Sequence, residues 1–167
     1  MVSAILRHPG ALVQCALSAA LACTVSTAWA QEATEEPSPN ALWVNIGALT
    51  YHPEHPDAFN GNNRGFGVEY RFRPDVSVMV GTYYNSVYRD TNYAAVNWQP
   101  IQWGDWKLGL AIGVINGYPA VENGNYFPAA LPMISYEGKR FGANFSVIPT
   151  LPQVDAALVF QLKLRLN

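Results

Sequence analysis

In the stretch Val154-Asp-Ala-Ala-Leu-Val-Phe-Gln-Leu-Lys-Leu-Arg-Leu166, apolar and polar side chains alternate from Phe160 to Leu166, and Ala156 and Leu158 extend the apolar face. Leu158, Phe160 and Leu162 fall on one face, while Lys163 and Arg165 fall on the other. Alternation with a period of two residues places successive side chains on opposite sides of an extended chain. This segment is therefore predicted to be a β-strand with one apolar face and one polar face.

Seven earlier segments show strand-like patterns, and short clusters of Pro, Gly, Asn and Asp separate them. The predicted strands cover residues 42–52, 65–73, 76–88, 91–99, 106–118, 129–136, 141–149 and 154–166. Eight antiparallel strands joined by short connections predict an up-and-down barrel, because closure removes the exposed sheet edges. The predicted fold class is therefore all-β.

Alternation alone does not tell which strand face lines the barrel interior. A soluble lipocalin-like periplasmic binder would turn its Leu and Phe side chains inward, whereas a membrane barrel turns them toward lipid. Only 13% of the 167 residues are charged, against roughly 25% in a typical soluble protein. Aromatic residues gather near strand ends, as in the girdles of membrane barrels: Tyr51, Tyr83, Tyr84, Tyr88, Trp98, Trp103, Trp106, Tyr118, Tyr126 and Tyr136. We therefore predict an eight-stranded antiparallel transmembrane β-barrel, with the soluble binder as an alternative.

The N-terminal residues have the pattern of an export signal. An apolar, Ala-rich stretch follows Arg7 and ends at Ala28-Trp-Ala30, which is typical of a signal-peptidase site. We predict a cleaved signal peptide at 1–30, a short periplasmic segment at 31–40 and the barrel at 41–167. A buried N-terminal helix and a lipoprotein cleavage site at Cys23 are the alternatives. Both cysteines, Cys15 and Cys23, fall within the predicted signal.

The charged residues exclude some partners and predict an interior network. Ten basic and twelve acidic residues give a net charge of −2, and nucleic-acid binding requires clustered cations, so we expect no nucleic-acid partner. His55 has no second histidine at metal-ligand spacing, and we predict neither a metal nor another cofactor. Five charged residues on two strands are predicted to form a salt-bridge network inside the barrel: Glu69, Arg71, Arg73, Lys163 and Arg165.

Several short segments, in the same order and spacing, carry a family resemblance. They are Ala48-Leu-Thr-Tyr-His52, Gly65-Phe-Gly67, Lys107-Leu-Gly-Leu-Ala-Ile-Gly-Val114, Asn125-Tyr126 with Pro128, Leu131-Pro132, Tyr136-Glu-Gly138 and Phe145-Ser-Val-Ile-Pro149. Over most of residues 42–166 the chain resembles the outer-membrane lipid A palmitoyltransferases. The resemblance implies a Gram-negative outer-membrane enzyme that moves an acyl chain from a phospholipid to lipid A. We expect the chain to act as a monomer.

The resemblance also assigns catalytic positions. His52, at the top of the first predicted strand, and Ser86, near the top of the third, match the family by position. Asn85 stands where the family has Asp, and an amide cannot supply the negative charge that stabilises an imidazolium. Asp90 lies nearby as a possible substitute. Because Asn85 replaces this Asp, a second hypothesis stays open. In it, the barrel keeps the scaffold and the access for lipid but does not catalyse acyl transfer.

Three further positions concern the lipid. Pro132 and Pro149 match prolines that flank a lateral gap in the family, and a proline donates no hydrogen bond to a strand ladder. Asn97 falls where the family has a small residue at the floor of the acyl pocket, which implies a shorter pocket. In the alternative interpretation, these residues have no catalytic role, and His52 is only a polar residue at the membrane edge. This interpretation also places Asn85 and Ser86 on opposite faces of one strand.

Overall fold

Eight antiparallel strands close into a barrel in the computed structural model, which describes residues 40–150 and 154–167. They are β1 (Ala41–Tyr51), β2 (Asn62–Arg73), β3 (Val76–Tyr84), β4 (Asp90–Trp103), β5 (Trp106–Ile115), β6 (Phe127–Glu137), β7 (Phe141–Ile148) and β8 (Ala157–Arg165). Neighbours in sequence pair with each other, and β1 closes the barrel on β8. The predicted signal peptide lies outside the described residues, as does nearly all of segment 31–40. Across the described ranges, no helix has the length and apolar character needed to span a membrane.

The strand faces are arranged as in a membrane protein. Large apolar side chains point outward and are exposed, among them Ile46, Phe66, Val80, Ile112, Val147, Leu158 and Leu162. Polar side chains point inward and are buried, among them Asn45, Ser77, Asn97, Gln99, Lys107 and Ser135. An apolar exterior around a polar interior is the arrangement of a barrel surrounded by lipid. The prediction of a transmembrane β-barrel is confirmed.

The two ends of the barrel differ in their connections. Two-residue or three-residue turns follow β2, β4 and β6, and longer connections follow β1, β3, β5 and β7. We call these the turn end and the loop end. Exposed aromatics ring both ends, with Tyr51, Tyr84, Tyr88 and Tyr126 at the loop end and Trp98, Trp103, Trp106 and Phe141 at the turn end. Tyr83 and Tyr118 were predicted to belong to the aromatic girdles, and this prediction is wrong. Their hydroxyl oxygens lie 3.0 Å apart, and the two side chains are part-buried.

The ends of the third and fourth strands show the largest differences from the predicted boundaries, about four residues each. The third strand ends at Tyr84, because the side chain of Asn85 bonds to the backbone and begins a turn. The fourth continues past Pro100 to Trp103, because a register shift between Trp98 and Ile101 accommodates the proline as a bulge. The predicted break at Pro100 is therefore wrong.

A cluster of four buried charges occupies the turn-end half of the interior, and we call it the ion cluster: Glu69, Arg71, Glu137 and Lys163. The Lys163 ammonium lies 3.0 Å from Glu69 and 2.7 Å from Glu137. The Arg71 Nε lies 2.8 Å from Glu137, and its Nη2 also donates to Gln99. All four side chains are at least 98% buried. The two positive and two negative charges of the cluster pair with each other, as charges in a low-dielectric interior require. A third buried cation, Lys107, lies outside the cluster and donates from Nζ to Gln102 at 3.1 Å.

The predicted network was therefore partly correct. Glu69, Arg71 and Lys163 belong to the ion cluster, but Arg73 is exposed and pairs with Asp75 at 3.1 Å. Arg165 is half-buried and lies 6.0 Å from the ring of Trp43. It forms no ion pair with another residue in the described ranges. Glu137 was missed because the segment Tyr136-Glu-Gly138 has the composition of a turn, whereas the strand continues through Glu137.

Candidate functional site

The predicted catalytic residues lie at the loop end, around the connection between β1 and β2. His52 follows the last residue of β1 and is buried. Its ring stacks on Phe59 with 4.1 Å between ring centroids. The next residue, Asn60, donates its backbone N–H to the carbonyl of Ser86 at 2.9 Å. The connection between β1 and β2 therefore contains His52 and also contacts Ser86.

Asn85 lies in the turn between β3 and β4, and both polar atoms of its side chain are hydrogen-bonded. Its Oδ1 accepts the backbone N–H groups of Val87 and Arg89, each at 2.9 Å. Its Nδ2 donates to the Thr91 hydroxyl at 2.9 Å and to the Gly117 carbonyl at 2.8 Å. The two bonds of Oδ1 lie within the β3–β4 turn, and the bond to Gly117 joins this turn to the connection after β5. Asn85 and Ser86 are both buried, so the alternative with the two residues on opposite faces of a strand is wrong.

The environment of His52 favours its neutral form. Burial lowers the pKa of His52 below its ordinary value, and the Ala156 backbone and the Asp155 carboxylate offset that effect only in part. A histidine must be neutral to accept a proton as a general base. The imidazole is therefore in the protonation state that a base requires at pH 7, although Asn85 does not orient it through any hydrogen bond between the described residues.

Removing the stacked ring should raise the pKa of His52. In Phe59→Ala water reaches the imidazole, and we expect the pKa to move toward the ordinary value of about 6.5. Because the folded wild type has the lower pKa, it binds fewer protons than the unfolded chain. The corresponding stability is therefore complete above about pH 6.5 and is lost as the pH falls through the folded pKa. Titration of the imidazole by NMR in micelles measures the shift, and a pKa unchanged by Phe59→Ala would contradict the role of the stack.

Ser86 lies beside the part-buried phenol of Tyr118, which in turn contacts the phenol of Tyr83. Burial raises the pKa of Tyr118, and hydrogen bonding to Tyr83 and Ser86 counteracts part of this rise. The Tyr118 phenol is therefore neutral at pH 7 and can both donate and accept a hydrogen bond. The two phenols give Ser86 a polar, water-poor environment next to the barrel interior.

The barrel interior contains apolar as well as polar side chains. Met79 on β3, Ala111 on β5 and Met133 on β6 are buried apolar residues, and we call them the apolar layer. Asn97 pairs with Ala111 in register and donates to Gln99 at 3.2 Å. Asn97 therefore lies beside one member of the apolar layer and is hydrogen-bonded to Gln99, which in turn contacts Arg71 of the ion cluster. An acyl chain entering from the loop end would therefore meet polar atoms at Asn97.

The ladder between β6 and β7 stops before the loop end. It extends from Glu137–Gly142 to Met133–Ser146, and the Ser146 hydroxyl donates to the Pro132 carbonyl at its last rung. Residues 127–132 of β6 remain paired with β5 but have no partner in β7 within the described chain. Pro149 follows the end of β7 directly. We call this unpaired stretch the open seam. It includes Pro132 and lies beside Pro149, the two predicted access prolines.

Three residues at the loop end form a group that could hold a divalent metal. Glu54, His55 and Asp155 offer ligand atoms that all lie within 4.8 Å of one another. The His55 Nδ1 lies 3.6 Å from the Asp155 carboxylate, and Glu54 accepts a hydrogen bond from Thr150. The sequence did not point to this grouping, because Asp155 is one hundred residues from His55. Phe59 was also missed, since no spacing rule relates it to His52.

Comparison with known proteins supports the fold. No family model and no curated protein sequence matches the chain. A de novo designed transmembrane β-barrel superposes with a TM-score of 0.57 at 12% identity, covering 77% of this chain and 98% of its own. The solution structure of the designed barrel TMB2.3 gives 0.57 at 17% identity, with 78% and 98% covered. The N-terminal barrel domain of Pseudomonas aeruginosa OprF gives 0.46 at 11% identity, with 76% and 98% covered. The two designed barrels, with TM-scores above 0.5, show that the chain has the fold of small transmembrane β-barrels.

Proposed function

We propose that the protein is a monomeric barrel of the Gram-negative outer membrane that admits one acyl chain of a membrane phospholipid and does not transfer it. The open seam is the observation that carries this proposal. Where two neighbouring strands are not hydrogen-bonded, lipid chains can pass between them from the membrane. The buried apolar layer of Met79, Ala111 and Met133 lies on the inner side of the wall.

The long connections give the direction of insertion. In outer-membrane barrels the short turns face the periplasm and the longer loops face the outside. The loop end, with His52, Ser86 and the open seam, would then lie at the outer leaflet. An acyl chain would enter from that leaflet and end above Asn97.

The hydrogen bonds of Asn85 favour the non-catalytic form of this proposal. In the resemblance, this position supplies a carboxylate that supports the histidine. Here the Nδ2 atom donates to two oxygens, and a carboxylate has no N–H with which to do so. Asn85 therefore acts as a turn residue, and the catalytic unit has no negative charge at this position.

A second candidate is the acyl transfer itself, from phospholipid to a hydroxyl of lipid A. It is favoured by the placement of His52 and Ser86, which contact consecutive residues of one connection, Phe59 and Asn60. The neutral state of His52 is also the state that a general base requires.

Lipid A mass spectrometry distinguishes the two candidates. The protein is expressed in an outer membrane that lacks this acylation, and its assembly is checked by the resistance of the folded barrel to detergent. We expect no added acyl chain. An added chain that disappears in Ser86→Ala and His52→Ala, but persists in the loop variant His55→Ala, would establish transfer and overturn the non-catalytic proposal.

Photo-crosslinking tests the admission of an acyl chain. Purified barrel in vesicles is irradiated with a phospholipid whose acyl chain carries a diazirine, and the labelled residues are mapped. We expect labelling of Leu131 and Met133, which are inward-facing residues next to the open seam, besides the exposed outer wall. Ser77 serves as the internal control, because it is fully buried and hydrogen-bonded to Glu69 in the polar interior. Labelling confined to outward-facing residues would contradict the proposal.

A further inference from the structure

A groove on the outer wall marks a second place where the barrel differs from a plain cylinder. It arises where β1 bulges at Gly47, which shifts the register against both β2 and β8. Gly47 has φ +47, and a Cβ there would approach the Asn63 carbonyl to 3.1 Å, so the bulge is suited to glycine. The groove has a volume of about 310 Å³, and its apolar lining includes Ile46, Leu49, Phe160 and Leu162.

A polar recess adjoins the groove on the side of the loops. It has a volume of about 330 Å³ and is lined by Asn60, Asn62, Arg64 and Tyr84. Asn62 and Arg64 line both spaces, so the apolar groove and the polar recess meet at these two residues. The combined surface is amphipathic, as a lipid with an acyl chain and a headgroup is.

Arg64 is an unusual residue at this position. It is exposed and lies on the outward face of β2, two residues before Phe66. It forms no ion pair with any other residue of the described ranges. It lines the recess together with Tyr84, an aromatic of the loop-end girdle, which places the guanidinium at headgroup depth. A guanidinium beside hydrocarbon is costly unless a counter-charge accompanies it.

We propose that Arg64 and the adjoining groove bind a phosphorylated membrane lipid, with the phosphate on Arg64 and one acyl chain along the groove. The planar guanidinium matches phosphate oxygens in a two-point hydrogen bond, and no carboxylate lines the recess to compete for it. The apolar groove continues from Arg64 toward the membrane centre, where the chain of such a lipid must lie. The assignment of this lipid to the outer leaflet rests on the proposed location of the protein.

Binding to purified full-length barrel in mild detergent tests the site. The probes are dioleoyl phosphatidic acid, dioleoylglycerol and inorganic phosphate, titrated by native mass spectrometry. We expect phosphatidic acid to bind at least about tenfold more tightly than dioleoylglycerol, as a charged hydrogen bond would give. Inorganic phosphate should not displace it, because free phosphate makes no use of the groove. Displacement by inorganic phosphate alone would overturn the lipid assignment.

Three variants locate the site. Arg64→Gln should reduce the affinity for phosphatidic acid to that for dioleoylglycerol, and Leu162→Trp, which fills the groove, should weaken both lipids. Arg73→Gln is the matched control, because it makes the same substitution on the same strand at the turn end, and should bind as wild type does. An Arg64→Gln variant with unchanged affinity would overturn the proposal. The groove faces outward, so a barrel interior that admits no acyl chain would leave these results unchanged, and the two proposals can fail separately.

Discussion

Glu137→Gln should lower the free energy of unfolding of the barrel by about 3 to 5 kcal/mol, the range for breaking a buried ion pair from one side. Glu137 contacts both cations of the ion cluster, with Nζ of Lys163 at 2.7 Å and Nε of Arg71 at 2.8 Å. Its loss leaves the two cations of the ion cluster facing the single carboxylate of Glu69. Equilibrium unfolding by urea in vesicles measures the change.

The exposed ion pair provides the matched control. Arg73 and Asp75 lie as close as members of the ion cluster, but Arg73 is 63% exposed. We expect Arg73→Gln to change the free energy of unfolding by less than about 1 kcal/mol. The double variant Glu137→Gln/Lys163→Met restores the charge balance and should recover part of the loss. A double variant no more stable than Glu137→Gln would show that charge imbalance is not the cause.

Asn85→Asp should destabilise the loop end by about 1 to 3 kcal/mol, the usual cost of leaving buried polar groups unpaired. The new carboxylate would place an oxygen where Nδ2 now donates to the Thr91 hydroxyl and the Gly117 carbonyl. The Gly117 carbonyl would then face a negative oxygen instead of a donor. The substitution makes the chain more similar to the acyltransferase family, and nevertheless we expect it to lose stability and gain no acyl transfer.

An exposed asparagine serves for comparison. Asn123 lies in the connection after β5 with a positive φ of 53, a conformation that Asp also tolerates. Asn123→Asp should leave the free energy of unfolding almost unchanged. Unfolding curves together with lipid A mass spectrometry test both variants. A stable Asn85→Asp variant that acylates lipid A would show that the position can take the role that the resemblance assigns to it.

The strands were predictable because alternation is a local signal. Leu158, Phe160 and Leu162 repeat at every second position, and nothing beyond the strand itself is needed to read that pattern. The membrane-facing direction was also predictable, since the scarcity of charge is a property of composition. Glu69, Arg71 and Lys163 could then be assigned to the interior, because they lie on the strand face opposite the apolar residues.

The contacts of the candidate site could not be predicted in the same way. The bonds of the Asn85 Oδ1 to Val87 and Arg89 begin the turn at this residue, but its Nδ2 also donates to Gly117, which is thirty-two residues away. The position of Asp155 beside His55 depends on barrel closure, which brings the connection after β7 next to the one after β1. Such contacts follow from the closed topology, and no residue spacing along the chain encodes them.

The ion cluster has a consequence for how the barrel assembles. Its members come from β2, β6 and β8, and β8 can meet β2 across the interior only when β1 has paired with β8. A partly inserted sheet would expose charges in the membrane with their partners still absent, at a substantial cost. Neutralisation and the last strand pairing therefore occur together. This coupling makes half-closed sheets unfavourable and gives insertion an all-or-none character, in which the final hairpin completes both the wall and the charge balance.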